Sequence, residues 1–304
     1  MIEKTLSRAD EAFQEGRTEK EVDAKLKSIL LEMGMDTLDY VLVQAWPNSA
    51  SPHHLPGSDL VKRGEPVLID IGVSHAGYYS DITRQVSVGE PSDEYKKIFA
   101  IVRETQAKAV DAVKAGIPIS EVDKAARETI EKTGLGKYFN SRTGHSLGLE
   151  VHEPPSVWGG NPLSMQSGMV FTIEPGIYLP GKFGVRIEDT IAVTDQGVDR
   201  LTSSDRDLII IWKEKIMGEN VIYEKDRPIG RITLNRPEKR NALNPAALNE
   251  LIHCFSLSKE NNDLCVVYGA AGKDFTIGAD LKYGYQMMTD SDRADEAAEY
   301  LANF

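Results

Sequence analysis

The sequence predicts an α+β fold in two units. Strand-like and helix-like segments both recur along the chain. Its 304 residues suit two domains, or one large domain with an appendage. Its character also changes around residues 213–220 (KEKIMGEN), after which VIYEKDRPIGRITLN reads as a fresh strand pair opening a new sheet. A boundary near residue 217 follows, dividing the chain into 1–217 and 218–304.

The opening segment MIEKTLSRADEAFQEG reads as a helix stopped at Gly16. Thr18 with Glu21 forms a capping-box pattern, and Val22, Leu26, Ile29 and Leu30 recur at helical spacing up to a stop at Gly34. Residues 40–46 read as a strand. NSASPHHLPGSD is a loop by its Pro, Gly, Ser and Asn content. Residues 66–72 and 79–88 are two more strands. A long amphipathic helix covers 92–115, and another covers 121–133 after Ser120, closing at Gly134. The stretch 140–168 is loop-rich. Residues 169–178, 184–194 and 208–212 are again strand-like. In the second unit a helix near 245–258 precedes a strand at 264–268, and the stretch after residue 285 is acidic and helix-prone.

Composition narrows the function classes. The chain is 41% hydrophobic and 27% charged, near a globular average, which excludes bulk disorder. A net charge of −12 argues against non-specific nucleic-acid binding. No apolar run approaches the ~20 residues that span a bilayer, and the N-terminus has no apolar signal segment. Cys254 and Cys265 cannot build a disulfide framework or a cysteine-rich zinc site, and a reducing cytoplasm is the expected compartment.

Two pairs of carboxylates stand out by their placement. Asp70 and Asp81 are equally far from a turn centred on His75–Ala76. In an antiparallel hairpin with that turn they face each other directly, with Cβ atoms ~4.5–5.5 Å apart. Glu174 and Glu188 are equally far from Gly181 in LPGKFG, and the same argument sets them opposite, unless a bulge shifts the register. Like charges this close raise each other's pKa, and four on core-facing strands need a compensating charge. A pair of divalent metals supplies it, typically ~3.5–4 Å apart and bridged by carboxylates and an activated water. Histidine is a common further ligand, and His145 in TGHSLG is the candidate. Taken singly, each residue has an ordinary reading: a turn or cap aspartate, a solvated strand glutamate, a satisfied core histidine. Those readings do not account for the joint occurrence.

The stretches NSASPHH, LIDIGVSHAGYYSDITR, TGHSLGLEVHEPP, MVFTIEPGIY and VRIEDT, in this order over roughly residues 1–212, resemble the pita-bread metallopeptidases: methionine aminopeptidase, prolidase, aminopeptidase P and their relatives. The resemblance implies a pita-bread α+β catalytic domain with five metal ligands. Asp70 would chelate one metal, Asp81 and Glu188 would bridge two, and His145 and Glu174 would complete the other site. Two divalent ions are implied, manganese foremost, with cobalt, iron or zinc as alternatives. A metal-bridged hydroxide would be the nucleophile, with Glu174 shuttling its proton. His53 matches the histidine that contacts substrate near the scissile bond, with His54 an off-by-one competitor. His152 matches the one that stabilises the tetrahedral intermediate. Arg186, two residues before Glu188, shares its strand face and either pairs with a ligand carboxylate or is a surface residue.

IEPGIY and VRIED lean towards the prolidase and aminopeptidase P branch. They imply removal of an N-terminal residue from Xaa-Pro peptides or dipeptides, with a short peptide as partner and a homodimer allowed. Ser146 and Leu147 depart from the usual GHGIG. That branch usually carries an additional N-terminal domain that helps build the substrate pocket in a dimer, whereas this chain opens within the catalytic domain. Creatinase-type hydrolysis, lyase chemistry on the same fold, or an inactive binding scaffold are the competing readings. The full ligand set argues against the metal-free versions.

IGRITLNRPEKRNALNPAAL and GAAGKDFTIGADL, within residues 221–283, resemble the enoyl-CoA hydratase (crotonase) superfamily. The resemblance implies a partial crotonase-like α/β segment in which the Ala279 N–H occupies one of two acyl-CoA oxyanion positions. The second donor and the acid/base carboxylates of that family lie beyond Phe304. The expectation is therefore an incomplete unit with exposed apolar edges and no hydratase chemistry.

Overall fold

Residues 1–211, 215–226, 229–260 and 263–288 are described by the computed structural model. They fall into two units, Met1–Ile211 and Trp212–Phe304, a division somewhat before the expected residue 217.

The opening helix is two short ones, α1 (Ile2–Leu6) and α2 (Ala9–Ala12). The Ser7 hydroxyl turns back to the Lys4 carbonyl and Arg8 leaves helical geometry, which separates them. The helix α3 (Glu19–Glu32) begins with the expected capping box between Thr18 and Glu21. It buries Val22, Leu26, Ile29 and Leu30. Strands β1 (Thr37–Gln44), β2 (Val67–His75) and β3 (Tyr78–Val88) follow. Alternate residues of β2, from Val67 to Val73, share one apolar cluster with α1–α3. Strand period therefore turns Asp70 and Gly72 to the opposite face.

The β2–β3 turn corrects one expectation. Ala76 and Gly77 both have positive φ, 51° and 80°, and His75 pairs with Tyr78. Positive φ at both central residues of a two-residue loop is the type I′ geometry, which matches strand twist. The turn is centred one residue later than expected. Asp70 therefore faces Thr83 and Asp81 faces Gly72. A two-residue slip preserves side-chain facing, so both carboxylates remain on one face as diagonal neighbours, ~7–8 Å apart rather than directly opposite.

Helices α4 (Asp93–Asp111), capped by Ser92, and α5 (Ile119–Glu131) come next. The stretch expected to be loop-rich holds two short strands, β4 (Gly144–Ser146) and β5 (Glu153–Val157). The two long strands expected beyond it are each broken. They become β6 (Val170–Ile173) and β7 (Gly176–Leu179), then β8 (Phe183–Arg186) and β9 (Asp189–Thr194). Pairing of Ile173 with Asp189 and of Gly176 with Arg186 keeps the alignment expected for a hairpin about Gly181 on both sides of the break. At the break itself the Glu174 N–H donates to the Thr143 carbonyl (2.7 Å) and the Glu188 N–H to the Thr83 carbonyl (3.2 Å). Strands β10 (Gly197–Arg200) and β11 (Ile209–Ile211) complete the unit.

One sheet has the order β1-β2-β3-β11, a second β10-β9-β6-β4-β5, and β7-β8 form a separate ribbon. The second sheet and the ribbon share a buried cluster with α4 and α5, in which Tyr95, Val102, Val122, Ala126 and Ile130 join Phe171, Ile177 and Phe183.

In the second unit, β12 (Lys215–Met217), β13 (Val221–Asp226), β14 (Ile229–Leu234) and β15 (Cys265–Ala270) form one sheet in chain order. Helix α6 (Pro245–Glu260) makes the crossover between the parallel strands β14 and β15. Val221, Tyr223, Ile232, Leu234 and Cys254 form its buried cluster. Val266 and Val267 on β15 are exposed. Gly278 has φ 86°, and a bridge pairs Ala279 with Leu243 through the Gly278 carbonyl and the Asp280 N–H. Helix α7 (Leu281–Met288) covers the start of the acidic stretch, and the rest lies outside the described residues.

Gly72 lies between Tyr40 and Asp81 across three strands, and a Cβ there would sit 2.8 Å from the Tyr40 ring. Gly72→Ala should cost about 1–3 kcal/mol, the range for overpacking a filled site. Urea unfolding checks this; a loss below about 0.5 kcal/mol would show that the ring moves aside freely.

Candidate metal centre

The face of β2–β3 turned away from α1–α3 meets the interrupted ends of β6 and β8. Ligand atoms of Asp81, His145 and Glu188 lie within 4.8 Å of one another, and all three residues are buried. His145 Nε2 is 3.6 Å from Asp81 Oδ2 and 3.5 Å from Glu174 Oε1. Asp70 Oδ2 accepts from Arg186 Nη2 at 2.6 Å. The structure thus places these five residues in one region. Asp70 is turned to a guanidinium, while Asp81, Glu174 and Glu188 lie around the His145 imidazole. Glu174 keeps 17% of its side chain open.

Each of these groups is held by neighbours. The Tyr40 hydroxyl donates to Asp81 Oδ2 (2.6 Å), its ring lying over Gly72. The Thr83 hydroxyl donates to Glu188 Oε2 (2.6 Å). Arg186 is 2% exposed, so it is not a surface residue. It donates from Nε to Thr83 Oγ1 (3.0 Å) and from Nη1 to the Tyr178 hydroxyl (2.8 Å) and the Pro52 carbonyl (3.3 Å). His145 Nδ1 faces its neighbour's carbonyl, that of Ser146 (3.0 Å), leaving Nε2 to the carboxylates. The hydroxyl of Ser146 donates to the Pro155 carbonyl.

Sequence reasoning missed Tyr40 and Thr83. Thr83 carried a signal, standing one strand period from Asp81. Gly72 signalled Tyr40, as a glycine within an apolar strand marks a close approach.

Burial first, then the charge of Asp70, pushes the Asp81 carboxyl well above its ordinary value. Burial, then Asp81 and Glu174, does the same to Glu188. Glu174 is raised by desolvation, partly offset by His145 and Arg186. Asp70 Oδ1 and Asp81 Oδ1 are buried with no hydrogen-bond partner among the described residues. Crowded carboxylates, an imidazole nitrogen directed at them and orphaned buried oxygens form a donor set that fits divalent cations.

Above this floor opens a cavity of about 650 Å³, lined in part by His53, His145, His152, Glu174 and two arginines, Arg142 and Arg186. The His152 ring centroid is 4.2 Å from that of His145. Burial, then His145 and Arg142, pushes His152 down to about 4. Desolvation, then Arg186, lowers His53. Burial also lowers His145. His54 turns away from the cavity, its Nε2 3.8 Å from Glu19. Glu19 is fully buried and accepts from Ala45 N, Asn48 Nδ2 and Gly57 N, pinning both ends of the loop that carries His53. Gln44 donates to the Pro52 and His54 carbonyls within the same loop.

Residues 1–195 match metallopeptidase family M24, and residues 224–303 match the enoyl-CoA hydratase/isomerase family. The Xaa-Pro dipeptidase of Pyrococcus horikoshii is 43% identical over 211 residues, 69% of this chain and 60% of that protein. The solved prolidase of Thermococcus sibiricus is 46% identical with a TM-score of 0.67, over 69% of this chain and 58% of that one. The X-Pro aminopeptidase of Thermotoga maritima is 38% identical with a TM-score of 0.68, over 69% and 60%. The chain therefore spans about 60% of the relative's length. These likenesses bear out the α+β pita-bread fold of the first unit.

In the metal-free protein, folded Glu188 holds its proton to a higher pH than it does unfolded. Its ionisation therefore removes stability as pH rises from about 4.5 through the raised folded value. Glu188→Gln carries no such proton, so it should gain stability relative to wild type between pH 5 and 8. Thermal melts in chelator test this; a constant difference in Tm across that range would contradict the assigned direction.

Proposed function

The chain belongs to metallopeptidase family M24, and from that premise we propose that it is a dinuclear-metal peptidase removing an N-terminal residue from Xaa-Pro peptides or dipeptides. The observation that carries the reading is the buried Asp81–His145–Glu188 cluster on the floor of an open cavity. Asp70, Asp81, His145, Glu174 and Glu188 would hold two divalent ions, manganese foremost. When bound, such ions neutralise the carboxylates, polarise a carbonyl and lower the pKa of water towards neutrality.

The chain's own groups divide the remaining work. Glu174, raised by desolvation and open to the cavity, takes and returns a proton. His152, held neutral down to about pH 4, serves as a neutral hydrogen-bond donor to developing negative charge. His53 lines the same cavity and orients the peptide near the scissile bond. Arg186 keeps one oxygen of Asp70 fixed while the other remains unpartnered, and its bond to the Pro52 carbonyl ties that ligand to the His53 loop. The relatives' names include both Xaa-Pro dipeptidases and an X-Pro aminopeptidase, so the likeness leaves substrate length open. A cytoplasmic location fits two free cysteines, and among the described residues no helix is long and apolar enough to cross a membrane.

All these residues lie in the first unit, so we place catalysis in residues 1–217. Deletion of 218–304 should retain hydrolysis, and a folded but inactive product would overturn that placement.

The function is tested by release of the first residue from a peptide with proline second, with added manganese and with chelator. Manganese-dependent release is expected. Metal binding without release would shift the assignment to another substrate class or to a lyase. Single variants separate the roles. Asp81→Ala should lose both metal and turnover, whereas His152→Ala should keep metal and lose roughly 10²–10³-fold in kcat. Full metal stoichiometry in Asp81→Ala, by elemental analysis, would remove Asp81 from the ligand set.

A further inference from the structure

A second group of metal-ligand residues lies apart from the centre described above. Ligand atoms of Glu19, His54 and Asp59 fall within 4.8 Å of one another. Glu19 opens α3, and the other two belong to the loop that carries His53. None of the three lines the cavity.

Backbone bonds seat this loop on the helix. The Glu19 N–H donates to the Asp59 carbonyl (2.9 Å), the Lys20 N–H donates to the Gly57 carbonyl (3.2 Å), and Thr18 bridges to Leu60. The three side chains therefore converge on a fixed frame. His54 Nε2 is 3.8 Å from Glu19 Oε2. That is too long for a hydrogen bond, and it falls within the ~3–4 Å that separates two donors on one zinc-sized ion.

Two further observations point to a cation. Glu19 is fully buried, yet among the described residues no lysine or arginine pairs with it. N–H groups of Ala45, Asn48 and Gly57 satisfy its oxygens as acceptors but leave its charge without a counter-ion. The Asn48 amide also donates to Asp59 Oδ2 (2.9 Å), so a neutral group joins two carboxylates. Gly57 then marks the space between the donors. A Cβ there would meet Glu19 Oε2 at 3.3 Å, Asp59 Oδ2 at 3.7 Å and His54 Nε2 at 4.0 Å. Outside its chain neighbours, its three nearest atoms are thus the three donors themselves.

Two carboxylates balance a divalent charge, and an imidazole nitrogen selects a borderline ion over magnesium or calcium. We propose that Glu19, His54 and Asp59 bind one divalent ion of the zinc class, separate from the ions of the main centre, and that this ion fastens the loop of His53 to α3. Asp59 is exposed and His54 half-buried, so the remaining coordination positions open to water. The proposal does not depend on the peptidase reading.

The test titrates the metal-depleted full chain with zinc by calorimetry and measures bound zinc after gel filtration. Wild type is compared with His54→Ala, Asp59→Ala and Gly57→Ala. Wild type should hold one ion more than each variant. His54→Ala should weaken that ion about 100-fold or more, beyond the ~10–100-fold typical of losing a group that only supports a ligand. Gly57→Ala keeps every ligand and fills the space between them, so it should lose the same ion. Saturating zinc should also raise Tm more in wild type than in the variants, because a ligand held only by the folded chain stabilises it. Asp59 is exposed, so Asp59→Ala keeps the comparison open if another variant misfolds. Equal stoichiometry and affinity in wild type, His54→Ala and Asp59→Ala would overturn the proposal, as would an extra ion retained by Gly57→Ala. The five ligands of the main centre are untouched in all these variants. A difference of one ion therefore stands whether or not that centre binds metal, and failure of the peptidase reading is told apart from failure of this site.

Discussion

Asp70, Asp81, Glu174 and Glu188 bring like charges into a region largely closed to water, and the architecture of the first unit answers that repulsion. Each carboxylate is given one fixed point. Arg186 holds Asp70, Tyr40 holds Asp81 and Thr83 holds Glu188, while Glu174 faces the His145 imidazole. One oxygen on each of the two aspartates is left without a hydrogen bond among the described residues. Buried, unpaired carboxylate oxygens are costly unless a cation completes them. The fold therefore tolerates this cluster most easily as a ligand set.

The placement depends on where strands are allowed to stop. Glu174 and Glu188 lie at matching breaks, where the ladder passes from the second sheet to the β7–β8 ribbon. Their N–H groups are satisfied by Thr143 and Thr83. Each break is thus paid for in hydrogen bonds, and it lets the glutamates lean towards β3 and β4. Arg84 reinforces the same corner: fully buried, it pairs with Asp189 and donates to the Glu188 carbonyl. Glu19 does comparable work by tying the N-terminal end of α3 to the loop of His53.

The second unit has its own sheet and its own buried cluster, with a parallel β14–α6–β15 crossover. Its exposed Val266 and Val267 fit the expectation of apolar surface on a partial crotonase-like segment. None of the groups assigned to the proposed peptidase chemistry comes from it.

The sequence by itself determined the elements and the neighbourhood of the site. Periodicity and the capping box located α3, α4 and α5, because these depend on local spacing and on a side chain reaching three residues away. The symmetry about Gly181 gave the alignment of the glutamate hairpin, since a ladder once started propagates its register. The aspartate hairpin shows where such reasoning stops. Its turn is set by positive φ at Ala76 and Gly77, a backbone preference that equal spacing of carboxylates does not encode. The short strands β4 and β5 were illegible because three to five residues carry too little periodicity, and only pairing with β5 and β6 defines β4 as part of a sheet. Tyr40 reaches Asp81, and Arg186 reaches Asp70, across strands far apart in the chain. Residue types declared what the site needed, but the tertiary structure decided which hydroxyl and which guanidinium supply it, because those contacts exist only once the sheets have packed.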